Sequence, residues 1–195
     1  MRQGADRAAL RDRKDDLYET PECAIRTLLR VESLPDAIWE PCAGRGAISR
    51  FLIDSGRRVV AQDLVAHPGA DEGIEARIDF LMEQRAPGGV RCICTNPPFK
   101  NADEFIRHGL RLGCDVIVLL RLMALEGANR SDIIDNHLVR VWAGKERLPQ
   151  MHREGWEGKR TANSGAPFAW FVFKSGGRGG DDPIELRRMS WRNTA

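Results

Sequence analysis

The chain has 195 residues, of which 42% are hydrophobic and 30% charged, and its formal net charge is +2. This length suits one domain with a substantial core, and the balanced charge excludes a polybasic arm, an acidic tail or a disordered polyelectrolyte. The sequence has no apolar run of the roughly 18 residues that a membrane span needs. Residues 1–16 lack the apolar stretch of a secretory signal. Five cysteines without a Cys-x-x-Cys pair and four histidines without ligand spacing indicate reduced thiols and no metal. We therefore expect a soluble, cytoplasmic protein.

The basic residues are biased in type and in position. Arginine accounts for 25 of the 30 basic residues, and the net charge is −3 over residues 1–137 but +5 over residues 138–195. Arginine binds phosphates and bases bidentately and stacks on planar groups, which lysine does not. The composition leaves two explanations open, which are nucleic-acid binding and a GC-rich genome.

The predicted helices and strands alternate along most of the chain. A polar segment at 1–15 precedes a helix that begins near Thr20 and Pro21, with Thr20 as its cap. A strand at 37–40 leads through a glycine turn into a helix at 46–55. The later predicted elements are strands at 58–63, 76–81, 90–95 and 115–120 and a helix at 102–112.

The pattern changes after residue 137. Strands are predicted at 138–142 and 168–173, and the long basic segment 143–167 between them is a candidate substrate loop. A linker and a short helix at 186–191 follow. We therefore expect one catalytic domain over 16–174 and a flexible tail over 175–195. The alternation predicts an α/β fold with a mostly parallel, doubly wound sheet, whose ligands bind beyond the carboxyl ends of the strands.

A glycine turn, Glu40-Pro-Cys-Ala-Gly44-Arg-Gly46, follows the first predicted strand. Its glycines allow close approach of the backbone to a ligand. The third glycine of the dinucleotide fingerprint is replaced by Ser49, and the lysine of a phosphate-binding loop is missing. Glu40 would repel a pyrophosphate but suits a cationic ligand. Asp63 ends the next strand, 19 residues after Gly44, and can accept hydrogen bonds from a ribose.

A second turn, Asn96-Pro97-Pro98-Phe99, follows a predicted buried strand. Two prolines cannot continue a central strand, because both lack an N–H donor and both fix φ. The turn is therefore rigid. It presents a side-chain amide, a peptide carbonyl and an aromatic face in fixed relation at the ligand-binding edge of the sheet.

Together these motifs resemble the class I S-adenosylmethionine-dependent methyltransferases, and within them the enzymes that methylate N6 of adenine or N4 of cytosine. The resemblance implies a Rossmann-like sheet with an antiparallel last strand around Trp170. It implies S-adenosylmethionine as cofactor, with contacts from Tyr18, Thr20, Glu40, Pro41, Ala43, Gly44, Gly46, Asp63, Asp79 and Phe80. The catalytic turn that it implies consists of Asn96, Pro97, Pro98 and Phe99.

The chemistry of an exocyclic amino group suits this turn. The nitrogen is a poor nucleophile, because its lone pair is delocalised into the ring. The Asn96 side-chain oxygen and the Pro97 carbonyl can each accept one amino N–H and so aim the lone pair at the sulfonium methyl, while Phe99 stacks on the base. Catalysis would then rest on positioning and electrostatics, and the base must be unpaired or extruded from a duplex.

Basic and aromatic residues alternate in residues 138–178, which suits phosphates and unstacked bases. We expect phosphate contacts from Lys100, Arg147, Arg153, Lys159 and Arg160. The large target-recognition domain of sequence-specific relatives is missing, which favours low specificity, or a homodimer or partner that supplies it. The favoured function is adenine-N6 methylation of DNA. The alternatives are methylation of RNA bases or protein glutamine, and a catalytically silent nucleic-acid-binding module.

Overall fold

A computed structural model describes residues 17–149, 151, 163–179 and 182–192. Within them, the predicted alternation of strands and helices is confirmed. The helices are α1 (Glu22–Val31), α2 (Ser49–Asp54), α3 (Ala102–Arg111) and α4 (Ser131–His137). The strands are β1 (Ala37–Glu40), β2 (Arg58–Asp63), β3 (Glu75–Ala76), β4 (Cys92–Thr95), β5 (Asp115–Arg121), β6 (Leu138–Gly144), β7 (Phe168–Phe173) and β8 (Glu185–Met189).

The strands form one sheet in the order β3-β2-β1-β4-β5-β7-β6-β8. Strand β7 is antiparallel to both β5 and β6, and the remaining neighbours pair in parallel. The chain moves outward from β1 to β3 and then returns to β4 on the other side of β1. The carboxyl ends of β1 and β4 therefore flank the switch point of the sheet, where open α/β folds bind their ligands.

Both faces of the sheet are buried. On β5, Ile117 and Leu119 belong to the hydrophobic cluster that contains Ile25 of α1, whereas Val116 and Val118 belong to the cluster that contains Ile106 of α3. This explains why β5 is the most continuous apolar run, since a strand covered on both faces has no solvent-facing positions.

The strand predicted at 76–81 is mostly wrong. Strand β3 ends at Ala76, because Arg77 has a left-handed backbone with φ +67°. The chain then forms a 3₁₀ turn at Phe80–Met82, and the Asp79 carboxylate accepts a hydrogen bond from the Leu81 amide at 3.0 Å. A short acidic side chain that bonds a nearby amide offers the backbone an alternative to sheet pairing.

The predicted helix at 186–191 is wrong, and the expected flexible tail contains a strand of the sheet. Strand β8 pairs in parallel with β6, from Arg140 opposite Glu185 to Gly144 opposite Met189. Met189 and Trp191 are buried. The open edge of β6 supplies hydrogen-bond partners that the isolated sequence pattern does not reveal.

Two helices begin later than predicted. Helix α1 has Pro21 as its N-cap and no side-chain cap bond, so the capping role expected of Thr20 is wrong. Helix α2 begins at Ser49 because residues 44–48 form turns, in which Gly44 and Gly46 have φ values of +58° and +95°. Glycine is the residue that adopts such values at little cost.

Candidate active site

A cavity of ≈ 290 Å³ lies beyond the carboxyl ends of β1, β2 and β4. It brings together four segments that are distant in sequence: residues 17–20, the glycine turn, the residues that follow β2, and the Asn96–Phe99 turn. The predicted cofactor and catalytic residues that line it are Tyr18, Thr20, Glu40, Pro41, Ala43, Gly44, Asp63, Asn96, Pro97, Pro98 and Phe99.

Three predicted cofactor residues lie outside the lining of this cavity. Gly46 is packed against the side chain of Asp71, whose Cγ would lie 2.9 Å from a Cβ at this position. Asp79 is exposed, and Phe80 is buried in the core beside Trp39. The backbone amide of Ile78 donates to the Asp63 carbonyl at 3.1 Å. The segment that contains Asp79 and Phe80 therefore lies beside the end of β2 but does not line the cavity.

The Asp63 carboxylate holds the glycine turn against the end of β2. Its Oδ2 accepts a hydrogen bond from the Gly44 amide at 2.8 Å, and its Oδ1 accepts one from the Val65 amide at 2.8 Å. Each carboxylate oxygen has a second lone pair. The His67 Nε2 also lies 3.5 Å from Oδ1, so Oδ2 is the oxygen that can hold the turn and still accept a hydrogen bond from a ligand.

Glu40 is a buried carboxyl group at the end of β1. It is 1% exposed, and its Oε2 atom has no hydrogen-bond partner. Burial raises the pKa of Glu40 well above its usual range. Hydrogen bonds from Ser49 lower this pKa, whereas the negative charge of Asp63 raises it further. A buried oxygen that lacks a partner on a cavity wall suits a cationic ligand group.

The Asn96 amide is oriented by the segment before α1. Its Nδ2 donates to the Tyr18 carbonyl at 3.3 Å and to the Thr20 hydroxyl at 3.2 Å, and it also lies 3.6 Å from the Met151 sulfur. With the nitrogen held in this way, Oδ1 is buried and has no hydrogen-bond partner. The amide therefore offers an acceptor and not a donor.

The roles of Thr20 and Met151 as partners of Asn96 were not predicted. Thr20 was expected to contact the cofactor, and it also positions Asn96. No sequence signal links Asn96 with Met151, 55 residues later. Only the fold brings the two together.

Phe99 separates the first cavity from a second one of ≈ 490 Å³ at the end of β5. Its ring centroid lies 5.7 Å from that of Tyr18 and 6.0 Å from that of Phe168. The Arg121 guanidinium carbon lies over the ring, 5.1 Å from its centroid, and lines the second cavity. Arg121 is not among the predicted site residues, although a basic residue at the end of the most apolar strand is a usable signal.

No protein-family model matches the chain. No curated protein matches its sequence. Three solved structures have similar folds. A candidate class I S-adenosylmethionine-dependent methyltransferase from Listeria monocytogenes has a TM-score of 0.53 and 15% identity, and the match covers 88% of this chain and 65% of that one. The modification subunit of a candidate type I restriction enzyme from Vibrio vulnificus has a TM-score of 0.58 and 12% identity, with 83% and 45% covered. A candidate RNA methyltransferase from Pyrococcus horikoshii has a TM-score of 0.57 and 16% identity, with 82% and 87% covered.

The chain has the class I methyltransferase fold. This confirms the predicted fold class, including the antiparallel strand that contains Trp170. The chain spans 65% of the length of the Listeria protein and 45% of the Vibrio subunit.

The predicted phosphate-binding residues of this methyltransferase fold are only partly described. Lys100 is exposed directly after the Asn96–Phe99 turn. Arg147 is exposed, and its Nη1 lies 3.4 Å from the Gly165 carbonyl. Arg153, Lys159 and Arg160 lie outside the described residues.

Among the residues that the structure covers, no group of three or more His, Cys, Asp or Glu side chains is arranged to hold a metal ion. None of the helices found there combines the length and the apolar character needed to cross a bilayer.

Proposed function

We propose that the protein is an S-adenosylmethionine-dependent methyltransferase that acts on an exocyclic amino nitrogen of a nucleic-acid base. Adenine N6 in DNA, with low sequence specificity, is the favoured target. The observation that carries the proposal is the half-buried Asn96 amide at the cavity. Its nitrogen is held by Tyr18 and Thr20, and its buried Oδ1 has no hydrogen-bond partner.

The residues around the cavity fit the cofactor. The free Glu40 oxygen suits its ammonium group, and the spare lone pairs of Asp63 suit its ribose hydroxyls. Gly44 keeps the turn that carries Pro41 and Ala43 close to the end of β2. When bound, S-adenosylmethionine supplies an electrophilic methyl group.

The catalytic turn would position the amino nitrogen. The Asn96 oxygen and the Pro97 carbonyl accept its two N–H bonds, which localises the lone pair on the nitrogen and directs it toward the cavity. Phe99 supports the base by stacking. No strong general base is required beforehand, because the methylated ammonium is acidic and loses its proton readily.

The substrate is tested with radiolabelled S-adenosylmethionine offered with duplex DNA, single-stranded DNA, RNA and a glutamine-containing protein. We expect label in DNA and N6-methyladenine in the mass spectrum of its nucleosides. Label found only in RNA, or only in protein, would show that this other molecule is the substrate and that DNA is not. An absence of transfer to all four, together with no heat of S-adenosylhomocysteine binding in calorimetry, would show that the protein is not this kind of enzyme.

The role of the turn is tested with Asn96→Ala. Loss of one positioned hydrogen-bonding group typically costs about 10²–10³ in rate, and we expect a decrease of that size with S-adenosylhomocysteine binding retained. Asn96→Asp, which keeps an acceptor oxygen, should retain more activity than Asn96→Ala. Undiminished transfer by Asn96→Ala would show that the catalytic turn is wrongly assigned.

A further inference from the structure

Arg121 ends β5 at the edge of the sheet where the active-site cavity lies. Its side chain is exposed, and its guanidinium carbon lies 5.1 Å from the centroid of the Phe99 ring. The Arg121 side chain forms no hydrogen bond and no ion pair with any residue that the structure describes. The nearby Arg130 is different, since its Nε lies 2.7 Å from the Asp103 carboxylate.

One wall of the second cavity therefore carries a guanidinium that forms no ion pair with a described carboxylate. Asp103 and Arg130 also line this cavity but pair with each other, and Glu126 lines it without an ion pair to Arg121. Tyr18 and Phe168 already pack against Phe99. Phe99 and Arg121 both line the second cavity, and the Arg121 guanidinium lies over the Phe99 ring.

A base that enters from the second cavity and stacks on Phe99 would need the place over the ring that the Arg121 guanidinium occupies. Stacked aromatic groups have centroids about 4.5–7 Å apart, so the guanidinium at 5.1 Å occupies the space of the base. Because no hydrogen bond or ion pair with a described residue holds the Arg121 head group, rotation of its long side chain away from the ring breaks only the stacking contact.

We propose that Arg121 is a nucleic-acid-binding residue that rests on Phe99 in the free protein. When the target base stacks on Phe99, the guanidinium moves from the ring to a backbone phosphate beside the extruded nucleotide. This inference rests on the proposed function, since it requires a base at Phe99. Arginine suits both positions, because it stacks on aromatic rings and binds phosphate bidentately.

The experiment measures the affinity of a fluorescein-labelled single-stranded DNA for the full chain over a series of salt concentrations, with S-adenosylhomocysteine present. Each lost phosphate contact reduces the slope of log K against log salt by about 0.7 for a single strand. We expect this reduction for Arg121→Leu and Arg121→Gln. Arg121→Lys keeps a point charge and should keep most of the slope.

Arg187→Leu is the matched control. The Arg187 guanidinium also lies over an aromatic ring, 5.4 Å from the centroid of Trp142, but it belongs to the edge strand β8, which contributes no residue to either cavity. We expect the wild-type slope for this variant. A slope change as large as that of Arg121→Leu would mean that loss of any surface arginine suffices, and it would overturn the inference.

Steady-state kinetics provide a second measurement. Arg121→Leu should raise KM for DNA several-fold with little change in kcat. An unchanged salt slope, or a decrease in kcat with KM unchanged, would show that Arg121 only packs on Phe99. If the wild-type protein methylates DNA and this result is found, the inference alone fails. If the wild-type protein neither binds nor methylates nucleic acid, the proposed function fails.

Discussion

Two buried acceptor atoms without partners lie at the candidate active site, Glu40 Oε2 and Asn96 Oδ1. A buried polar group without a hydrogen bond costs about 1–3 kcal/mol of stability. A ligand that forms hydrogen bonds with both atoms would recover part of that cost. Thus the same two atoms weaken the free protein and prepare the site for binding.

Glu40 leads to a prediction about pH. Because its pKa in the folded protein is raised by burial, the folded state keeps a proton that the unfolded state loses. The stabilising effect of this proton is fully present below the unfolded pKa and is lost as the pH rises through the folded pKa. Glu40→Gln cannot ionise, so it should gain stability relative to wild type as the pH rises above the ordinary pKa of a glutamate.

The measurement is the free energy of unfolding from urea titrations at a series of pH values. Glu72→Gln is the control, since Glu72 is exposed and loses little on substitution. A difference between Glu40→Gln and wild type that does not change with pH would contradict the prediction. In calorimetry, Glu40→Gln should also weaken S-adenosylhomocysteine binding, because the amide cannot become a counter-charge for the ammonium.

At the scale of elements, β8 forms one edge of the sheet and joins the last described segment to β6. Arg140 of β6 connects Glu32 at the end of α1 with Glu185 of β8, at 2.8 Å and 2.9 Å. The Trp142 indole donates to the same Glu32 carboxylate at 2.7 Å. These contacts hold α1, β6 and β8 as one unit.

Gly144→Ala tests the packing of the chain end. A Cβ at Gly144 would overlap the buried Trp191 indole, with its Cε2 only 2.6 Å away, and would lie 2.9 Å from the Glu146 carbonyl. Overpacking of this kind costs typically about 1–3 kcal/mol. We expect that loss in the free energy of unfolding and an increased exposure of Trp191 in fluorescence.

Gly88→Ala is the matched control, because a Cβ there would meet no atom within 4 Å. It should be neutral or stabilise the protein by up to about 1 kcal/mol, since alanine has fewer unfolded conformations. Equal stability of the two variants would show that Trp191 does not pack on Gly144.

At the scale of the whole molecule, ion pairs join the two parts of the chain that differ in net charge. Arg140 pairs with Glu32 and Lys174 pairs with Asp115, so acids of the first part neutralise bases of the second. Within the described residues, a phosphate would meet isolated cations such as Lys100 and Arg121.

The cavity joins four segments, so ligand binding should stabilise the whole fold. A ligand at about 100 times its Kd adds about 2.7 kcal/mol to the free energy of unfolding. We expect S-adenosylhomocysteine to raise the thermal midpoint. Asp63→Asn should abolish most of this shift, because the amide replaces an acceptor of the Gly44 or Val65 amide with a donor.

The ligand-dependent shift is the measured quantity, so a lower starting midpoint of Asp63→Asn does not affect the comparison. The Glu72→Gln variant should show the wild-type shift. A full shift in Asp63→Asn would mean that the ligand binds outside the cavity or without the help of Asp63.

Much of the sheet could be predicted from the sequence, because central strands carry local signals. Strands β1, β2 and β7 have the predicted bounds, since continuous apolar residues and adjacent turns mark them. The motifs also predicted that Glu40, Asp63 and Asn96 meet at one edge. That prediction needed only the rule that parallel strands end on the same side.

Other features required the tertiary structure. The segment 186–191 has an ambiguous pattern, and only the free edge of β6 makes it part of a strand. The partners of the Asn96 nitrogen lie 78 and 76 residues earlier in the chain. Arg121 covers Phe99 because β5 ends beside the turn that follows β4.

The sequence by itself determined the α/β class, the central strands and the two turns, because hydrophobic period and turn chemistry act over a few residues. Only the tertiary structure decided the edge strand, the orientation of the Asn96 amide and the position of Arg121. These features depend on contacts between segments that are distant in sequence, and no local pattern encodes which atoms such segments bring together.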